Sequence, residues 1–130
     1  MTLYDLNKKT KRVLAKKSAE YSFSTSIDYP NIAFEMDKDI HLYNIEKNKD
    51  DFVIKCNGKA RNVDIRDGYI SWNENKIYVY SMKDNKCYII DNGWKQQTGS
   101  DTNLKNLCGD LLYWMDDQNN VRYINLQDIR

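Results

Sequence analysis

Several residue types that would commit a chain to a chemistry are scarce here. There are five Gly and one Pro in 130 residues, the glycines scattered among turns, so no glycine-rich loop exists to cradle a phosphate. His41 is the single histidine, and no Ser or Cys stands in a nucleophile motif beside it. The three cysteines, Cys56, Cys87 and Cys108, are odd in number, far apart and without CxxC spacing. They read as small buried hydrophobes in a reducing compartment rather than as a disulfide framework or metal site. No apolar run approaches the roughly 18 residues of a membrane span. The first 17 residues are polar and basic without the apolar centre of a secretory leader, which makes the cytoplasm the default location. An excess of one charge is missing as well. Twenty basic and 19 acidic side chains leave a net +1, a balance that predicts no polyanionic partner.

What the chain has instead is strand-forming material. Ten Tyr accompany many Ile and Val, and no helix-period segment of useful length occurs. The 41% hydrophobic and 30% charged fractions suit one soluble domain, large enough to bury a core without staples.

The chain is organised around Asp67 to Met82, two adjacent antiparallel strands that have echoes on both sides. Tyr80-Ser81-Met82 follows Tyr43-Asn44-Ile45 by 37 residues, which follows Tyr4-Asp5-Leu6 by 39; Ile124-Asn125-Leu126 comes 44 residues later. A second landmark runs in step. Pro30-Asn-Ile-Ala-Phe34 becomes Gly68-Tyr-Ile-Ser-Trp72 and then Asp110-Leu-Leu-Tyr-Trp114. Ile32, Ile70 and Leu112 share one slot, and Phe34, Trp72 and Trp114 share the slot two residues on, so each repeat brings an aliphatic and a large aromatic to one strand face. A third landmark, Val13-Leu14, Val53-Ile54 and Ile89-Ile90, follows each Tyr by nine or ten residues.

Alternation and turn residues then divide the chain into strands. The order is two strands from residues 1–17, four over 21–56, four over 60–91 and three over 103–126. The expected strands include Tyr21–Ile27, Phe52–Cys56 and Leu104–Cys108, with Lys47–Asp51 and Asn57-Gly58 as turns and 91–102 as a long connector. Four short antiparallel strands per unit of about 40 residues describe a propeller blade.

At Gly68-Tyr-Ile-Ser-Trp72 with Ile77-Tyr-Val-Tyr-Ser-Met82, and at Ile32-Ala-Phe34 with Ile40-His-Leu-Tyr-Asn-Ile45, the unit resembles the TolB-like and WD-repeat-like β-propeller repeats. It departs from them in lacking a full Ser-Pro-Asp-Gly turn, which Tyr29-Pro30-Asn31 and Arg66-Asp67-Gly68 only approximate. The resemblance implies an all-β fold of blades, about three per chain, that offers loops and a tunnel to proteins, peptides or sugars. Some members of such families are enzymes, so a fragment of a larger propeller hydrolase is one alternative. A propeller needs at least four blades to close, and an unclosed set leaves strand edges and apolar faces uncovered. Two copies completing one ring is the favoured resolution. A β-trefoil, three four-stranded repeats and usually a sugar or protein binder, is the rival fold, although Gln-x-Trp is missing from the repeat ends.

Candidate site residues are few. Trp94, in the long connector beside Lys95, does not repeat and is the candidate partner-binding anchor, although packing between blades accounts for it as well. His41, between Ile40 and Leu42, is expected to point to the face opposite theirs, at the surface or packed between strands, rather than to act as a catalytic base. Asp37 and Asp39, Asp50 and Asp51, and Asp116 and Asp117 are expected in turns as solvated carboxylates, since they lack calcium-loop spacing. The basic stretch Lys8, Lys9, Lys11, Arg12, Lys16 and Lys17 reads as protection of an exposed edge strand rather than a nucleic-acid arm, because no aromatic platform interleaves it. These observations point to a non-enzymatic interaction module without cofactor or metal, whose partners are a second copy and a protein or peptide, with no role at a membrane.

Overall fold

A computed structural model describes residues 1–14, 24–36, 38–56, 60–74, 76–90, 105–116 and 118–129. Among these residues thirteen strands fall into four antiparallel sheets, each made of consecutive strands. The first sheet is a ribbon of β1 (Thr2–Asp5) and β2 (Thr10–Val13). The second holds β3 (Thr25–Asp28), β4 (Asn31–Met36), β5 (Asp39–Asn44) and β6 (Lys49–Ile54). The third holds β7 (Arg61–Arg66), β8 (Tyr69–Asn73), β9 (Ile77–Ser81) and β10 (Lys86–Ile90). The fourth holds β11 (Asn106–Cys108), β12 (Leu111–Met115) and β13 (Val121–Asn125), followed by one 3₁₀ turn. Separate four-stranded sheets of sequential strands are propeller-like blades. They rule out the trefoil, whose hairpins would share a barrel.

Turn chemistry sets the registers. Asp67 and Gly68 both take positive φ, +49° and +84°, the combination a tight hairpin needs to match strand twist. At the turns after β1, β5 and β9 a single residue, Lys9, Asn48 or Asn85, reverses the chain at φ +51° to +55°. Side-chain oxygens on Asp5, Asn44, Ser81 and Asn125 accept amide protons two or three residues ahead at 2.9–3.3 Å, closing each turn locally. The two main sequence landmarks are bonded to each other: Ile45 N–H donates to Pro30 O at 2.8 Å, Met82 to Gly68 at 2.9 Å and Leu126 to Asp110 at 2.7 Å. The repeat is thus one structural unit used three times.

The second and third sheets each bury two faces because alternate residues point opposite ways. On β4 and β5, Ile32, Phe34 and Tyr43 meet Met1, Leu3 and Leu14 from the ribbon, while Ala33, Ile40 and Leu42 meet Ile65, Ile70 and Trp72 of the third sheet. On the far side of the third sheet, Ile77 and Val79 pack with Leu112 and Trp114 of the fourth. Phe34, Trp72 and Trp114 are all essentially inaccessible, as their shared slot predicts.

The first strands of successive sheets, β3, β7 and β11, lie beside one another and are joined by side chains rather than a ladder. Val63 and Ile65 N–H donate to Ser24 and Ser26 Oγ at 2.7 and 3.2 Å, and Asp67 N–H donates to Asp28 Oδ2 at 2.8 Å. Ser26 Oγ in turn donates to Asp64 Oδ1 at 3.1 Å, and Asp64 Oδ2 accepts Leu107 N–H at 3.2 Å. An edge strand carries a row of unpaired amides, and here the preceding sheet supplies their acceptors.

The structure corrects several local expectations. β6 begins at Lys49, so Asp50 and Asp51 lie in a strand and the turn is residues 45–48. The expected strands Tyr21–Ile27 and Leu104–Cys108 lie partly outside the described residues, within which the strands are Thr25–Asp28 and Asn106–Cys108. The cysteines are not buried: Cys87 and Cys108 are exposed and Cys56 is half-buried, because they sit on first and fourth strands or beyond a strand end.

Two substitutions separate core from seam. Trp72→Ala should cost about 3–5 kcal/mol, as a large buried aromatic does. Asp64→Ala should cost about 1–3 kcal/mol by stranding the Ser26 hydroxyl and the Leu107 amide. Urea denaturation midpoints measure both, and an Asp64→Ala protein as stable as the parent would show that the inter-sheet bonds are dispensable.

Candidate functional site

The repeat allows each sheet to be compared slot by slot, and the fourth departs from the others on one face. Ala33 and Ser71 correspond to Tyr113, Glu35 and Asn73 to Met115, Ile40 and Ile77 to Val121, and Leu42 and Val79 to Tyr123. In the second and third sheets these eight side chains are at most 8% exposed, because the following sheet covers them. In the fourth they are 39, 44, 66 and 71% exposed, and Leu111 beside them is 38% exposed. Register places Tyr113 opposite Tyr123 and Met115 opposite Val121, which joins the side chains into one apolar patch. The opposite face of the same strands, Leu112 and Trp114, is fully packed. Among the described residues β13 has no ladder partner on its outer side, so an open edge adjoins the patch.

At the other end of the molecule the ribbon shows the complementary deficiency. Tyr4 occupies the slot of Tyr43 and Tyr80, which pack into cores and donate their hydroxyls to Asn48 and Asn85. Tyr4 is 63% exposed. A cleft of about 280 Å³ separates this ribbon from the second sheet and is lined by Asp5, Lys8, Arg12, Tyr29 and Glu46 among others. Its polar groups are largely committed. Asp5 closes its own turn, and Arg12 donates to Ile45 O at 3.0 Å. Arg12, counted in the sequence among edge-protecting charges, thus ties the ribbon to the second sheet.

Titratable groups elsewhere serve the fold. His41 stacks flat on Phe34, ring centres 5.4 Å apart and planes 17° apart, as its place opposite Phe34 in the ladder dictates. Its packing between strands is as expected. Asp39 accepts Cys56 N–H at 3.0 Å and Lys55 Nζ at 2.9 Å, which lowers its pKa. Asp116 is not a solvated turn residue. Nearly inaccessible, it accepts the Asn120 and Gln118 amides at 2.9 Å and Arg122 Nε at 2.8 Å. Those bonds hold its carboxyl down at about 2. Among the described residues no group of three or more His, Cys, Asp or Glu could hold a metal ion, and no helix is long and apolar enough to cross a membrane. Trp94 and Lys95 lie outside the described residues.

Sequence reasoning missed Lys105. It is buried at the start of β11, donates to the Asn62 carbonyl, and has its pKa pulled down to about 7 by burial, against the opposing pull of Asp64. It also missed the apolar patch, although the signal was present: Tyr113 and Met115 stand where the earlier repeats have Ala or Ser and Glu or Asn.

No family model matches the chain, and no curated protein matches it. Solved structures of Hsv2, a yeast β-propeller protein, do. A KlHsv2 whose loop 6CD is replaced by a Gly-Ser linker aligns with a TM-score of 0.63 at 14% identity, over 98% of this chain and 42% of that one. Hsv2p of Kluyveromyces lactis aligns at TM-score 0.58 and 14% identity, over 95% and 39%. A further Kluyveromyces lactis Hsv2 structure gives 0.52 and 11%, over 97% and 54%. At these identities the likeness shows the propeller fold and nothing of activity. The chain spans 39 to 54% of the length of these neighbours.

Two pH dependences follow. Lys105 binds its proton less tightly folded than unfolded, so its contribution to stability rises with pH from about 7 to 10.5, and Lys105→Met should flatten that rise. Asp116 binds its proton less tightly folded as well. Its contribution is therefore full above the ordinary 3.8 and is lost as pH falls through about 2, and Asp116→Asn should remove that acid-side loss. Thermal melts of parent and variants from pH 2 to 10.5 test both; unchanged profiles in the variants would contradict the assignments.

Proposed function

We propose that this chain is a non-enzymatic, propeller-like interaction module that engages another polypeptide through the uncovered face of its fourth sheet. One observation carries the reading. Tyr113, Met115, Val121 and Tyr123 are large, apolar and exposed in slots that the second and third sheets bury. Aromatic and Met side chains are the types enriched at the centres of protein interfaces. The non-enzymatic part is supported by three of the shifted titratable groups, Asp39, Asp116 and Lys105, which all bond within the fold. Unpaired thiols, two of them exposed, suit a reducing compartment such as the cytoplasm.

Selection of peptides from a displayed library against the full chain, followed by amide hydrogen exchange with and without the selected binder, tests this. Protection gained across Leu111–Asn125, and lost with Met115→Asp, is the expected outcome. Protection confined to the cleft between the ribbon and the second sheet, or binding unaffected by Met115→Asp, would overturn it.

A further inference from the structure

The partner for this face can be named from the packing rules of the repeat, and the inference rests on the reading of that face as an interaction site. Within the chain every covering sheet approaches in one way: the Ala33/Leu42 face of one sheet receives the Ile70/Trp72/Tyr80 face of the next. The size match is specific. Ala33 shares its core with Trp72, and Ser71 lies on the sheet face that meets Trp114. A small residue on the second strand of one sheet thus accommodates the large aromatic on the second strand of the next.

In the fourth sheet that small residue is replaced by Tyr113, and the polar one beside it by Met115. A covering sheet with a second strand and its large aromatic would collide with them. A covering sheet without a second strand would leave a gap for them to fill. Among the described residues the ribbon is such a sheet, holding the equivalents of a third and a fourth strand. It also bears Tyr4, the slot that covers a preceding sheet elsewhere, exposed on the side away from the second sheet. Its inner face packs on the second sheet through Leu3, and within one chain both Tyr4 and the fourth-sheet face stay exposed, so the ribbon does not cover its own fourth sheet.

We propose that the occupant is a second copy of this chain, whose β1–β2 ribbon seats Tyr4 on Tyr113, Val121 and Tyr123. The contact is head to tail, since the ribbon face and the fourth-sheet face are different surfaces. Made twice, it closes a ring. Two chains of four sheets give eight, within the range of 4 to 8 blades that propellers adopt.

Light scattering on a sizing column, with the full chain at two concentrations, reads the assembly. The parent should run near twice its 15.4 kDa mass. Tyr4→Asp and Tyr123→Asp should each give monomers with unchanged circular dichroism, and Tyr4→Ser serves as a milder check on the first. Mixing the two Asp variants should restore a dimer, because one carries an intact fourth-sheet face and the other an intact ribbon. A monomeric parent overturns the proposal. So does a Tyr4→Asp dimer alongside a Tyr123→Asp monomer, which would mean that two fourth-sheet faces meet each other. A monomeric parent whose selected peptides still protect Leu111–Asn125 would sink the second copy and leave the interaction module standing, so the two readings fail separately.

Discussion

A strand edge left without a neighbour must find acceptors for its amides, and this architecture depends on how that need is met at β7 and β11. Ser24, Ser26 and Asp28 fall at every second residue, on one side of the chain leading into and along β3. The amides they satisfy, on Val63, Ile65 and Asp67, also fall at every second residue, 39 positions later. The match of the two periods holds the first strands of adjacent sheets side by side at a fixed height. Asp64 passes the arrangement on, accepting hydrogen bonds from the Ser26 hydroxyl behind it and the Leu107 amide ahead. Because every one of these bonds uses a side chain rather than joining backbone to backbone, the sheets stay distinct and do not merge into one.

The apolar faces follow from that geometry. Sheets pinned at their first strands turn their remaining strands face to face, and the alternation of each strand supplies a core on both sides. Large aromatics at Phe34, Trp72 and Trp114 fill the space, and small residues at Ala33 and Ser71 make room for them. The rule also identifies where it is broken. Tyr113 and Met115 stand exposed in slots where the second and third sheets bury Ala33, Ser71, Glu35 and Asn73.

Much of this was legible in the residues. The three landmarks located the strand groups in the order two, four, four and three, the order the sheets take. Trp72 and Trp114 were identifiable as core from their shared slot, and His41 as a packing residue from its place between Ile40 and Leu42. The seam between sheets was not legible, because a Ser or Asp that accepts an amide 39 residues away looks like any polar residue of a half-exposed strand. Lys105 escaped for a related reason: a lone Lys after a polar connector gives no sign that its amine will meet the Asn62 carbonyl inside the fold. Asp50 and Asp51 were misplaced because Lys47–Asp51 has the composition of a turn, while Asn48 alone reverses the chain and frees the next residues for β6. The cysteines were misjudged from a residue-type average that strand position overrode.

The central claim is that side chains of one sheet seal the edge amides of the next. Residue-resolved amide hydrogen exchange of the full chain tests it most directly. The account predicts that Val63, Ile65, Asp67 and Leu107 exchange as slowly as ladder amides within β8 and β9, and that Ser26→Ala releases Ile65 while leaving the β8–β9 ladder slow. Exchange at those four amides as fast as at the exposed turn after β1 would contradict it.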